Sequence, residues 1–136
     1  MAVPYFGRLA ARLGARFHVQ VELVKPHAEF QTPAAQPVEG RVVRVFRGKG
    51  RLLLGQQVTF AVHVCRRGDR IWPGTSFMSY EDFVRARYME VFLNGAPPGC
   101  VVALDEVSIV DRPSRRPQLR SSRVAYYLAL LRWKLH

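Results

Sequence analysis

The spacing of apolar and polar residues changes several times along the chain, and each change marks an element. Over residues 4–16 it is helical: Phe6, Leu9, Leu13 and Phe17 recur at three- and four-residue steps, with Arg8, Arg12 and Arg16 on a neighbouring arc and Pro4 suited to a first turn. Like charges four apart repel, and Gly7 and Gly14 weaken the interior, so this helix needs a docking surface. At Phe17 the period becomes two. Phe17, Val19, Val21 and Leu23 alternate with His18, Gln20 and Glu22, which predicts a half-buried strand. Pro26, Pro33 and Pro37 then predict a long loop, because proline cannot donate to a sheet ladder.

A second strand is expected over 40–47, where Val42, Val43, Val45 and Phe46 supply β-propensity and Gly48-Lys49-Gly50 supplies a turn. The third is the clearest. Val58, Phe60, Val62 and Val64 form one face, and Thr59, Ala61, His63 and Cys65 the other. After an excursion punctuated by Arg66-Arg67-Gly68-Asp69 and Pro73-Gly74, Ser79 is placed to cap a short helix with Glu81 and Asp82 in its first turn. Strands are expected over 88–93, ending at the turn pair Asn94-Gly95, and over 100–110. Pro113 and Pro117 mark a linker. A last helix follows over 124–135, with Val124, Tyr127, Leu128, Leu131 and Leu135 as one stripe and Tyr126, Leu130 and Trp133 spreading apolar surface around the rest. A helix apolar on most sides must be covered by something.

These elements divide the chain into a basic amphipathic segment (1–16), a β domain (17–111), and a basic linker with an apolar helix (112–136). Charge sharpens that division. The formal charge is +11, yet residues 17–111 are nearly balanced. Residues 1–16 and 112–136 hold ten basic residues and no acid between them. Such ends attract phosphate, in nucleic acid or on an anionic membrane; the plain alternative is a pair of solvated tails rich in Arg through coding bias. No apolar run approaches a bilayer span, and the amino terminus lacks the apolar stretch of a signal peptide. Residence in the cytoplasm or at a membrane surface is expected. Cys65 and Cys100 are too few for a disulfide framework, and free thiols or a single disulfide are the alternatives.

The order of three strands, a short helix and two strands resembles the OB-fold, a five-stranded Greek-key barrel with a helix between strands 3 and 4. The stretches Val38-Glu39-Gly40-Arg41-Val42-Val43-Arg44-Val45 and Leu54-Gly55-Gln56-Gln57-Val58-Thr59-Phe60 look like the opening hairpin of such barrels. They are also similar to netrin-like domains, the OB-type module of tissue inhibitors of metalloproteinases. The resemblance covers roughly residues 17–111. It implies a mainly β, OB-like barrel with accessory helices at both ends. It does not carry over protease inhibition, which in that family depends on an amino-terminal cysteine, because this chain begins Met1-Ala2-Val3.

No catalytic motif, metal-ligand spacing or phosphate-cradling loop is present, and neither a cofactor nor a metal is expected. His18, His27, His63 and His136 have no mutual ligand spacing. His63 and Cys65, two apart on one strand, point the same way and read as structural. A site built from dispersed carboxylates (Glu81, Asp82, Glu90, Asp105, Glu106, Asp111) would need a deep pocket lined by two or more of them or by His63. The tripeptide Arg67-Gly68-Asp69 is discounted as an adhesion motif. The expectation is a non-enzymatic binding or accessory module that meets a macromolecule or another copy of itself. One alternative is a single-stranded nucleic-acid binder using Arg41, Arg44, Phe46, Arg47, Lys49 and Arg51, with Phe60, Tyr88 and Phe92 as further stacking surfaces. Another is membrane-surface association or homo-oligomerisation through the basic termini, with Phe6, Leu9 and Leu13 of the first helix and Tyr127, Leu128, Leu131, Trp133 and Leu135 of the last as contact residues.

Overall fold

The computed structural model describes residues 5–24, 29–52, 54–119 and 123–135. Residues 1–4, with Pro26, His27, Arg120, His136 and the side chains of Phe6 and Val124, lie outside the described residues. Helix α1 (Tyr5–Gly14) leads into strand β1 (Phe17–Leu23) where the pattern changes period. Phe17, Val19, Val21 and Leu23 enter the main core as the alternation requires. The opposite face departs from the half-buried expectation, for His18 and Gln20 are buried as well. Helix α1 and residues 112–119 form a second layer over them.

Strand β2 (Ala34–Arg47) begins six residues before its expected start and contains Pro37. Residues 34–39 pair with β3 (Gln57–Cys65), Pro37 opposite Ala61, whereas the ladder between β2 and β1 ends at Gly40. Pro37 therefore sits where the strand is an edge on its other side, and its missing N–H breaks no ladder. Gly40 is required by close approach: a Cβ there would lie 2.9 Å from the Cβ and Cγ2 atoms of Val21.

Strand β4 (Met78–Ser79) pairs parallel with β3 and runs directly into α2 (Tyr80–Arg85). The Ser79 hydroxyl accepts the Asp82 N–H at 3.2 Å, the cap its position implied. Strands β5 (Tyr88–Gly95) and β6 (Cys100–Val110) complete one mixed sheet of order β4-β3-β2-β1-β5-β6. The sheet has six strands rather than five, β4 being the addition. It curls into a half-barrel, bringing the start of β6 back to β3. There the Thr59 N–H donates to the Pro98 carbonyl at 2.7 Å, and Thr59 and Gly99 form a parallel bridge. Helix α3 (Arg123–Leu135) packs on α1.

One irregularity positions the site below. Val91 pairs with Val107 and Leu93 with Val102, so residues 103–106 of β6 bulge out of the ladder. Leu104 and Asp105 occupy left-handed backbone conformations, φ 46° and 56°. Side chains with a Cβ adopt these only when surrounding contacts hold them there.

Candidate functional site

The structure divides the Arg41–Arg51 strip. Arg41 and Arg44 are exposed on β2, in register with Glu22 and Gln20 of β1, and Arg44 Nη1 donates to the carbonyl of Val43 at 2.9 Å. Lys49 and Arg51 are exposed in the turn. Phe46 is half-buried, its ring centroid 4.9 Å from that of His18. Arg47 turns inward to the end of α1, where its Nη1 donates to the carbonyls of Arg12, Leu13 and Ala15. Those carbonyls have no partner inside the helix, so Arg47 acts as its C-terminal cap. Phe60 and Phe92 are buried. The strip thus offers cations, but Phe46 packs beside His18 and neither Phe60 nor Phe92 can stack on a base.

The acid-free tails are held to the barrel by buried polar groups. Arg12 meets Glu106 of the bulge at 2.9 Å. Glu90 on β5 is fully buried and accepts from His18 Nε2 (2.9 Å), Gln20 Nε2 (2.8 Å) and the backbone N–H groups of Gln118 (2.8 Å) and Leu119 (2.6 Å). Burial raises the pKa of this carboxyl, but the four hydrogen bonds outweigh burial and hold it below the usual carboxylate range. Gln20 also accepts the Ser114 N–H at 2.8 Å. Residues 114–119 are therefore a strap, tied down by side chains 28 to 94 positions away.

Beyond the strap, α3 turns Tyr126, Ala129 and Leu130 to a half-buried environment, the stripe opposite to the one its sequence favours. Tyr127, Leu128, Leu131, Trp133 and Leu135 are 55–82% exposed. Among the described residues its main partner is α1, whose Leu9 is buried and so offers no external contact surface.

A third feature was not assembled from the sequence. Past the Thr59–Gly99 bridge the gap between β3 and β6 is spanned by side chains, with His63 Nδ1 2.8 Å from Asp105 Oδ1. Asp105 Oδ2 accepts the Ser76 N–H at 3.3 Å. Trp72 and Phe77 stand edge-on to each other (4.9 Å) and to His63 (6.1 and 5.5 Å). A cavity of about 310 Å³ opens here, lined by His63, Asp82 and Asp105 over an apolar floor of Val62, Val102 and Val107. Its lining brings together His63 and two of the carboxylates singled out in the sequence. Yet the described serines on its rim do not hydrogen-bond His63: Ser76 Oγ accepts from Arg8 Nη2 and Ser108 Oγ donates to the Ile109 carbonyl. No nucleophile–base pair is formed among the described residues.

Other sequence candidates have structural partners. Asp69 of the Arg67-Gly68-Asp69 tripeptide accepts the Arg66 N–H at 2.6 Å and closes its own turn. Both thiols are free. Cys65 lies six residues, about 20 Å, along β3 from Thr59, whose bridge partner Gly99 precedes Cys100. Among the described residues no three His, Cys, Asp or Glu side chains gather as a metal site, and no helix is long and apolar enough to cross a membrane. Comparison with protein-family models, curated proteins and solved structures returns no match.

Proposed function

We propose that the protein is a non-enzymatic accessory module, OB-like in architecture, that docks on an anionic membrane surface through α3. In support of the architecture, removing β4 leaves the order β3-β2-β1-β5-β6, with α2 between β3 and β5 and β6 returning to β3. That order is expected of a five-stranded Greek-key barrel.

The observation that carries the docking reading is the outward face of α3: five large apolar side chains in water, within a tail that has basic residues and no acid. An apolar patch of this kind marks an interface. A second copy would bring one acid-free tail against another, and their charges would repel. An anionic bilayer reverses that sign, each basic residue near its surface contributing about 1 kcal/mol. Trp133 with Tyr126 and Tyr127 is the aromatic chemistry of the headgroup region. At 13 residues, α3 is about 20 Å long, shorter than the hydrocarbon core, and suits the plane of the interface.

Co-sedimentation with vesicles of phosphatidylcholine alone, or with added phosphatidylserine, tests this. The protein is expected to pellet with the anionic vesicles at low salt, and Leu128→Glu/Leu131→Glu to stay in the supernatant while folded. Equal pelleting of that variant, or dimerisation without vesicle binding, contradicts the reading. Single-stranded nucleic acid through Arg41–Arg51 is the competing reading. A labelled oligonucleotide bound at low salt and lost on Arg44→Ala would favour it.

A further inference from the structure

We propose that the cavity between β3 and β6 is a binding site for an organic ammonium ion, a primary or quaternary amine on a short apolar group. Its location follows from the curl of the sheet. The main chains of β3 and β6 meet at Thr59 and Gly99, and beyond that point the gap is left to side chains. The bulge at 103–106 displaces Asp105 from the ladder toward His63 on β3 and sets Glu106 against Arg12 of α1. Bulges of this kind re-aim side chains beside functional sites. The left-handed conformations of Leu104 and Asp105 show that packing has to hold the bulge in place.

Charge selects the ligand. In a chain of formal charge +11, this cavity is lined by Asp82 and Asp105 and by no Arg or Lys, Arg8 standing at its rim where it donates to Ser76 Oγ. His63 and the Ser76 N–H answer the two oxygens of Asp105, while the Asp82 carboxylate has no ion pair among the described residues. A ligand that fills the cavity displaces water from the half-buried Asp105 and lies beside the exposed Asp82. A neutral ligand leaves them uncompensated and an anion is repelled, whereas a cation is drawn in. The walls fit the same chemistry. Phe77 lines the cavity beside His63, with Trp72 edge-on behind it in the adjoining cavity, and an aromatic ring so placed attracts ammonium groups through its quadrupole. Val62, Val102, Val107 and Ile109 provide an apolar floor for the carbon substituents. At about 310 Å³ the space is at the small end of ligand pockets, so a compact cation is favoured over a large one.

The test is an NMR titration of amide resonances with choline and with its uncharged isostere 3,3-dimethylbutan-1-ol. Choline is expected to give saturable shifts at residues 61–63, 76–78 and 102–109, and the neutral isostere to bind at least about tenfold more weakly. Asp82→Asn alters an exposed side chain and Phe77→Leu a half-buried one, and both should leave the spectrum folded while weakening choline at least about tenfold each. Absence of saturable shifts, shifts confined to other residues, equal binding of the isostere, or unchanged affinity in both folded variants would overturn the proposal.

Discussion

Arg47 and Glu90 show how a single polar side chain can secure a terminal segment to a barrel. Arg47 holds three carbonyls at the end of α1, so Arg47→Ala leaves them without that donor and should lower stability by about 2 kcal/mol. Urea unfolding and faster amide exchange in α1 would register the loss, with Arg47→Lys recovering part of it. An unchanged midpoint would contradict the capping role. Glu90 holds residues 118 and 119 with His18 and Gln20. Its folded pKa is depressed, so its contribution is complete above the unfolded value of about 4.3 and is lost as pH falls through the lower folded value. Glu90→Gln should cost about 3 kcal/mol near neutral pH. It should also flatten the acid limb of a plot of urea midpoint against pH. Parallel acid limbs in the two proteins would contradict this account.

At the scale of elements, the alternation within β1 and β3 and the cap at Ser79 were legible because period and capping are local. What the sequence hid depends on distant chain. Pro37 reads as a breaker until the end of the β1 ladder at Gly40 leaves it on an edge. His18 and Gln20 read as the solvent face of β1 until the strap returns from residues 114–119 to cover them. His63 reads as a lone strand histidine, because the partner that gives it a role, Asp105, comes from a bulge 42 residues away. Trp72 and Phe77 lie in a loop with no periodicity to announce them. On α3 the apolar residues were legible but not the side that docks. For that helix the account predicts that Leu128→Glu/Leu131→Glu changes the unfolding free energy in urea by under about 0.5 kcal/mol, as expected of exposed positions. Marked destabilisation would mean that this face is already covered.

The whole molecule is a nearly neutral half-barrel carrying two cationic, acid-free ends that lie together through the packing of α1 on α3. That arrangement separates two chemistries in space. The anionic, aromatic-walled cleft is between β3 and β6, and the apolar, cationic face is on the terminal helices. Docking should accordingly combine an electrostatic part that weakens with salt and an apolar part that does not. Trp133 reports on it directly, since the chain has two tryptophans and the other, Trp72, stands at the cleft. In the Trp72→Phe protein, Trp133 emission should shift to the blue and become shielded from aqueous quencher when phosphatidylserine-containing vesicles are added, with no change on phosphatidylcholine alone. Emission that stays at its solvent-exposed position with anionic vesicles at low salt would contradict docking through α3.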